Sequence, residues 1–114
     1  MPMPNFNAWD LVKVPFPYID RPIRQRRPAL VVAAAGIQQA CGLLWVLMIT
    51  SAENRGWPGD VTVSDPTEAG LPAPSVVRTA KIATIEARTA EWLGSLSYFD
   101  RPKVVDCLRR ELSL

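Results

Sequence analysis

The chain has 114 residues, 48% of them apolar, and a net charge of +2. That is enough for a single domain, expected over residues 1–114, with a core of its own, and so slight a charge neither requires nor excludes a polyanionic partner. There is no histidine, and Cys41 and Cys107 lack metal-ligand spacing, which excludes a Ser-His-Asp arrangement and an ordinary zinc site.

Eleven prolines, roughly twice the average usage, argue against a helix bundle. The opening MPMPNFNAWD has neither the basic segment nor the apolar core of a signal peptide. The longest apolar runs, near Ala29–Ala35 and Leu43–Ile49, fall short of the ~20 residues that span a bilayer. A soluble, cytoplasmic protein with no membrane association is expected, its two cysteines being buried free thiols rather than a disulfide.

A first strand is predicted over Leu11–Phe16, with Val12, Val14 and Phe16 on one face and Lys13 and Pro15 on the other. Pro15 lacks a ladder donor and marks an edge or a bulge. A polar loop follows over Pro17–Arg27. Ala29–Ala35 is a nearly all-apolar run that reads as a strand buried on both faces. Gly36 and Gly42 bracket a turn region, and Leu43–Ile49 is a second apolar strand that pairs with the first. Ser51–Gly59 reads as a loop broken by Asn54, Gly56, Pro58 and Gly59.

Val61–Ser64 alternates as a half-exposed strand, Asp65–Pro74 is a second long loop, and Ser75–Thr79 and Lys81–Ile85 are two further strands. From Ser97 to Leu112 the period becomes helical. Ser97 or Asp100 caps the start, and Pro102 sits in the first turn, where its missing donor costs little. Val104, Val105, Cys107, Leu108 and Leu112 form its apolar face, so Cys107 reads as core packing. The fold class expected is mainly β with a C-terminal helix: five or six short strands in a small, strongly bent sheet or half-open barrel.

With no histidine, and no Walker or dinucleotide glycine pattern, any chemistry falls to arginine, lysine, hydroxyls and carboxylates. The densest polar segment is Asp20–Arg27, which holds Arg21, Arg24, Arg26 and Arg27. Guanidinium groups match phosphate oxygens two at a time, and Tyr18 beside them could stack a base. A solvated surface loop is the competing reading. Arg27 differs from the other three because Pro28 and an apolar strand follow it directly and fix its backbone.

Thr50 and Ser51 close the other apolar strand. If the two strands pair antiparallel, the start of one lies beside the end of the other, and Arg27 meets Thr50. Arg78 and Lys81 read either as phosphate ligands or as exposed cations on an edge strand. Trp9, Trp45 and Trp92 read as core or dimer residues, and Trp57 as the tryptophan most open to a ligand.

In chain order the segments VKVPFPYID, RRPALVV, LMITS, GLPAPSVVRTAKIATIE and LGSLS before a final helix resemble the PemK/MazF toxins of bacterial toxin–antitoxin pairs, over about Trp9 to Leu112. The resemblance implies a homodimer with a barrel-like sheet and a metal-independent endoribonuclease for single-stranded RNA, needing no cofactor. It implies attack of a ribose 2′-hydroxyl on the adjacent phosphate to give a 2′,3′-cyclic phosphate. It also implies a cognate antitoxin whose flexible acidic tail covers the RNA groove.

By position it assigns catalysis to Arg27 and Thr50, with Ser51 adjacent, and a basic RNA contact to Arg78. Tyr18, Arg21, Arg24, Arg26 and Lys81 remain RNA-binding candidates on composition. The sequence departs from the family pattern in having Trp9-Asp10 where Gly-Asp often opens the first strand, and Ala80-Lys81 where some members carry an acid. The general base is left open. Two other readings stand beside this one: a non-catalytic, CcdB-like gyrase-binding toxin on the same fold, and a nucleic-acid-binding module without turnover.

Overall fold

The computed structural model describes residues 5–15 and 25–114. The expectations for Phe16, Tyr18, Arg21 and Arg24 lie outside the described residues. In chain order the elements are β1 (Asp10–Pro15), β2 (Arg26–Ala33), α1 (Ala35–Cys41), β3 (Leu43–Ser51), β4 (Asp60–Thr62), β5 (Ser75–Glu86), β6 (Glu91–Ser95) and α2 (Arg101–Leu112). The strands form one six-stranded sheet in the order β4-β5-β3-β2-β1-β6, with every neighbouring pair antiparallel. The sheet is open, with β4 and β6 at its edges.

The sheet has a core on each face because its central strands are apolar on both. Val12, Val14, Ala29, Val31, Val46 and Met48 pack with Ile85, Ala87 and Ala90 on one side. Leu11, Leu30, Leu47, Ile49 and Val77 pack on the other, where Val104 and Cys107 of α2 cover them. Burying each Leu or Val fully contributes about 1.5–3 kcal/mol, so the pattern of β2 and β3 strongly favours a two-sided sheet. Register shifts between Leu11 and Val12, between Val31 and Ala33, and between Leu47 and Met48 bend the sheet.

Several expectations change in detail. β2 begins at Arg26, so Arg26 and Arg27 are strand residues and not the end of a loop. The turn region between Gly36 and Gly42 contains α1, a helix short enough to be hidden by Gly36 and by the absence of a side-chain cap. Gly42 closes it at φ 67 and donates its N–H to Gln38. The two strands expected at Ser75–Thr79 and Lys81–Ile85 are one strand. Leu47 pairs with Ile82 and Met48 with Arg78, so a bulge around Ala80 takes up the break in alternation.

β6 is a strand that the sequence does not predict: Gly94 and Ser95 weaken its signal, and it gains definition from pairing with β1. β1 therefore has neighbours on both sides, although its pairing with β6 stops at Lys13 and leaves Pro15 facing β2 alone. α2 starts at Arg101. Asp100 occupies the cap position, but its side chain accepts no hydrogen bond from its own helix; its Oδ2 takes the backbone N–H and the hydroxyl of Ser64, at 2.9 Å each. Leu112, expected on the buried face, is 57% exposed because it lies in the helix's last turn. Both cysteines are free, but only Cys107 is buried; Cys41 is exposed at the end of α1. None of the four tryptophans is fully buried, and Trp92 is more exposed than Trp57.

Candidate active site

The chemistry-bearing residues meet where the β2–β3 ladder ends. The two strands pair from Ala29–Met48 inward. Pro28 has no N–H to extend the ladder. Arg27 and Thr50, two residues further out on each strand, therefore line a gap rather than a closed sheet. Strand alternation puts Arg27, Met48 and Thr50 on one face, that of Ala29, Val31 and Val46. Arg78 joins them, since it is the partner of Met48 across the β3–β5 ladder.

Two hollows open at this point. The smaller, about 90 Å³, is lined by Arg27, Met48, Ile49, Thr50, Arg78 and Lys81. Three of these side chains are cationic and none is acidic, so the hollow suits an anionic group of phosphate size. The larger, about 280 Å³, shares Arg27, Ile49 and Thr50 and extends along Lys13, Pro28, Ser51 and the loop Gly70–Pro74. It is mostly apolar. Together they make a trough with a basic pit at one end. Arg27 is half-buried and held by the strand on its β1 side, where it pairs with Val14.

Arg78 is not an exposed cation on an edge strand. It is 7% exposed and lies on β5, between β3 and β4. Its Nε and Nη2 donate to the two Asp60 carboxylate oxygens at 3.1 Å each, and Nη2 also donates to the Asn54 carbonyl at 2.7 Å. Burial pushes the Asp60 carboxyl up, but hydrogen bonds from Arg78 and from the Trp57 and Gly56 N–H groups, with the charge of Arg78, outweigh it. Asp60 is thereby held below its ordinary value of 3.8. The Trp57 ring packs against both cations, 4.2 Å from Arg78 and 5.2 Å from Lys81. Trp57 thus meets the site through its cations while remaining 46% exposed.

The other candidates fall differently. Arg26 is not in the pit: its Nη2 donates to the carbonyls of Lys13 and Thr89, and it sits 3.6 Å from Glu91, so it ties β2 to the start of β6. Ser51 lines the trough, and its Oγ accepts the Glu53 N–H at the head of the 3₁₀ turn Ala52–Asn54. Thr50 Oγ1 accepts from the Asn54 side chain at 3.1 Å. Asn54, Asp60 and the Pro72–Pro74 wall were missed by sequence reasoning. Asn54 reads as a loop breaker, and only β4 folding beside β5 brings Asp60 to Arg78. Among the described residues no group of three or more His, Cys, Asp and Glu side chains is placed to hold a metal.

An open, bent antiparallel sheet with a C-terminal helix and a basic pit at the end of its central strands defines the class to which this molecule belongs. The profile of the PemK-like, MazF-like toxins of type II toxin–antitoxin systems matches residues 7–112, and the chain belongs to that family. Among solved structures it is similar to MazE–MazF from Deinococcus radiodurans, at 27% identity and TM-score 0.75, covering 100% of this chain and 99% of that one. It is also similar to MazF from the same organism, at 26% identity and TM-score 0.75, with 100% of both chains covered. An endoribonuclease in complex with its cognate antitoxin from a mycobacterial species shares the fold at 18% identity and TM-score 0.71, covering 94% of each chain. No curated protein matches the chain significantly.

Proposed function

We propose that this toxin is a metal-independent endoribonuclease that cleaves single-stranded RNA at the basic pit. The observation that carries the reading is the convergence of Arg27, Thr50, Arg78 and Lys81 on one hollow of phosphate size. A scissile phosphate seated there meets the Thr50 hydroxyl and the cations. When the neighbouring 2′-hydroxyl attacks phosphorus, negative charge grows on the non-bridging oxygens. The Arg27 guanidinium, rooted in β2, stabilises that charge through hydrogen bonds, and the departing 5′-oxygen takes its proton from water. Arginine keeps its proton in proteins, so Arg27 is not the base. The P–O5′ bond breaks as the new O2′–P bond forms and the 2′-hydroxyl proton passes to water, leaving a 2′,3′-cyclic phosphate and a 5′-hydroxyl. The apolar trough along Pro28 and Gly70–Pro74 suits a base or ribose flanking that phosphate.

The working unit is a homodimer, and an antitoxin with an acidic tail competes with RNA for the cationic pit. Family membership and the antitoxin complexes of the structural neighbours support these two partners. No helix among the described residues is long and apolar enough to cross a membrane. Membership of the toxin family supports a cytoplasmic setting. Incubation of purified protein with end-labelled single-stranded RNA in excess chelator tests the reading. Cyclic-phosphate ends are expected. Retention of RNA without cleavage would make the protein a binder, and gyrase inhibition with neither would make it a CcdB-like poison.

A further inference from the structure

The loop between β3 and β4 carries a residue that touches both sides of the pit. The side chain of Asn54 donates from Nδ2 to Thr50 Oγ1 at 3.1 Å, while its backbone carbonyl accepts from Arg78 Nη2 at 2.7 Å. Asp60 completes the assembly: its Oδ2 takes Arg78 and the backbone N–H groups of Gly56 and Trp57, so the loop and the arginine are fixed to one carboxylate. The 3₁₀ turn Ala52–Asn54, headed by Ser51, sets the position of Asn54. A continuous hydrogen-bonded path therefore runs Asp60–Arg78–Asn54–Thr50, ending on the hydroxyl that lines the pit.

We infer that Asn54 is a positioning residue that sets the direction of the Thr50 hydroxyl. An amide N–H that donates to Oγ1 occupies one of the oxygen's acceptor sites. The hydroxyl proton must then point elsewhere, and the pit offers a phosphate oxygen as its acceptor. Without Asn54 the hydroxyl rotates freely and spends part of its time turned away. The inference rests on the reading of the pit as a phosphate site.

Asn54 is exposed, so its replacement leaves the core intact, and any substitution keeps the backbone carbonyl that holds Arg78. Asn54→Ala is expected to lower kcat for a long single-stranded transcript about tenfold, in keeping with the loss of one neutral hydrogen bond, with Tm unchanged. Asn54→Asp falls further, since a carboxylate accepts the hydroxyl proton and repels phosphate. The decisive measurement is the cycle with Thr50→Val. If Asn54 acts through Thr50, then Asn54→Ala costs nothing further in the Thr50→Val background.

An equal loss in both backgrounds, or wild-type activity in Asn54→Ala, overturns the inference while leaving the ribonuclease reading intact. The same cycle measured as affinity for a 2′-deoxy strand, which lacks the attacking hydroxyl, tests Asn54 even if wild-type protein fails to cleave RNA. About threefold weaker binding confined to the Thr50-containing background supports the inference, and the same affinity in all four proteins overturns it.

Discussion

Single residues divide here into those that perform the proposed reaction and those that hold them. Arg27 is the clearest of the first kind. Losing one positioned transition-state donor costs on the order of 10²–10³ in rate, so Arg27→Ala is expected to lose at least that much RNA cleavage while keeping its Tm. A folded variant with full activity would remove Arg27 from the mechanism. Asp60 is of the second kind, and its pairing with Arg78 makes part of the stability depend on pH. Its carboxyl is held below 3.8 in the folded protein, so as pH falls the unfolded chain takes up this proton first. The contribution is full above that value and is lost as pH drops through the folded one.

Asp60→Asn leaves the buried Arg78 charge poorly paired and should cost about 3 kcal/mol near neutrality. Urea titrations should show that gap between wild type and variant narrowing from pH 7 towards pH 3, and a constant gap would exclude the pair as a source of acid sensitivity. The sequence shows Asp60 only as one acid among several. Nothing local distinguishes it, because its partner lies on another strand.

Elements decide how the trough is walled. The loop 65–74 is fixed to β6 by close backbone contact: Ser95 donates its N–H to the Glu68 carbonyl, and Gly70 lies against Leu93. Gly70 takes φ +75, and a Cβ there would collide with the Leu93 carbonyl. Gly70→Ala is therefore expected to destabilise by about 2 kcal/mol or more, from left-handed strain plus overpacking. It should also push the Pro72–Pro74 wall away from Arg27 and Thr50, raising KM for RNA more than it lowers kcat. Thermal melts and steady-state kinetics on one preparation check both, and an unchanged Tm would show that the loop is not anchored there. Trp9 sits in the same left-handed region at φ 77, and its ring packs against the helix-side core.

The elements plainest in the sequence are those with the strongest hydrophobic signal: the apolar runs of β2 and β3 and the amphipathic final helix. Those it hid, α1 and β6, are short and glycine-containing, and each is tied to distant chain, α1 through Gln38 to Phe6 and β6 through its ladder to β1.

At the scale of the whole molecule, large apolar side chains remain at the surface of the single chain: Trp45, Ile82, Trp92, Tyr98, Phe99 and Leu112 are all more than two-fifths exposed. A proposed homodimer gives such surface a place to go. Sedimentation equilibrium is expected to return twice the mass of one chain at micromolar concentration, and a monomer there would rule out the dimer as the working unit. The fold class follows from the order of residues alone, because two-sided apolar strands and an amphipathic C-terminal helix have few ways to be buried. The nearness of Arg27 to Thr50 follows too, because antiparallel polarity brings the start of one strand beside the end of the other, and both line one hollow. That Arg26 is a tie rather than part of the pit, that Arg78 is buried against Asp60, and that Asn54 joins Arg78 to Thr50 emerges only in the folded molecule. Each of these depends on contacts between residues far apart in the chain, which exist only once β4, β5 and β6 have taken their places in the sheet.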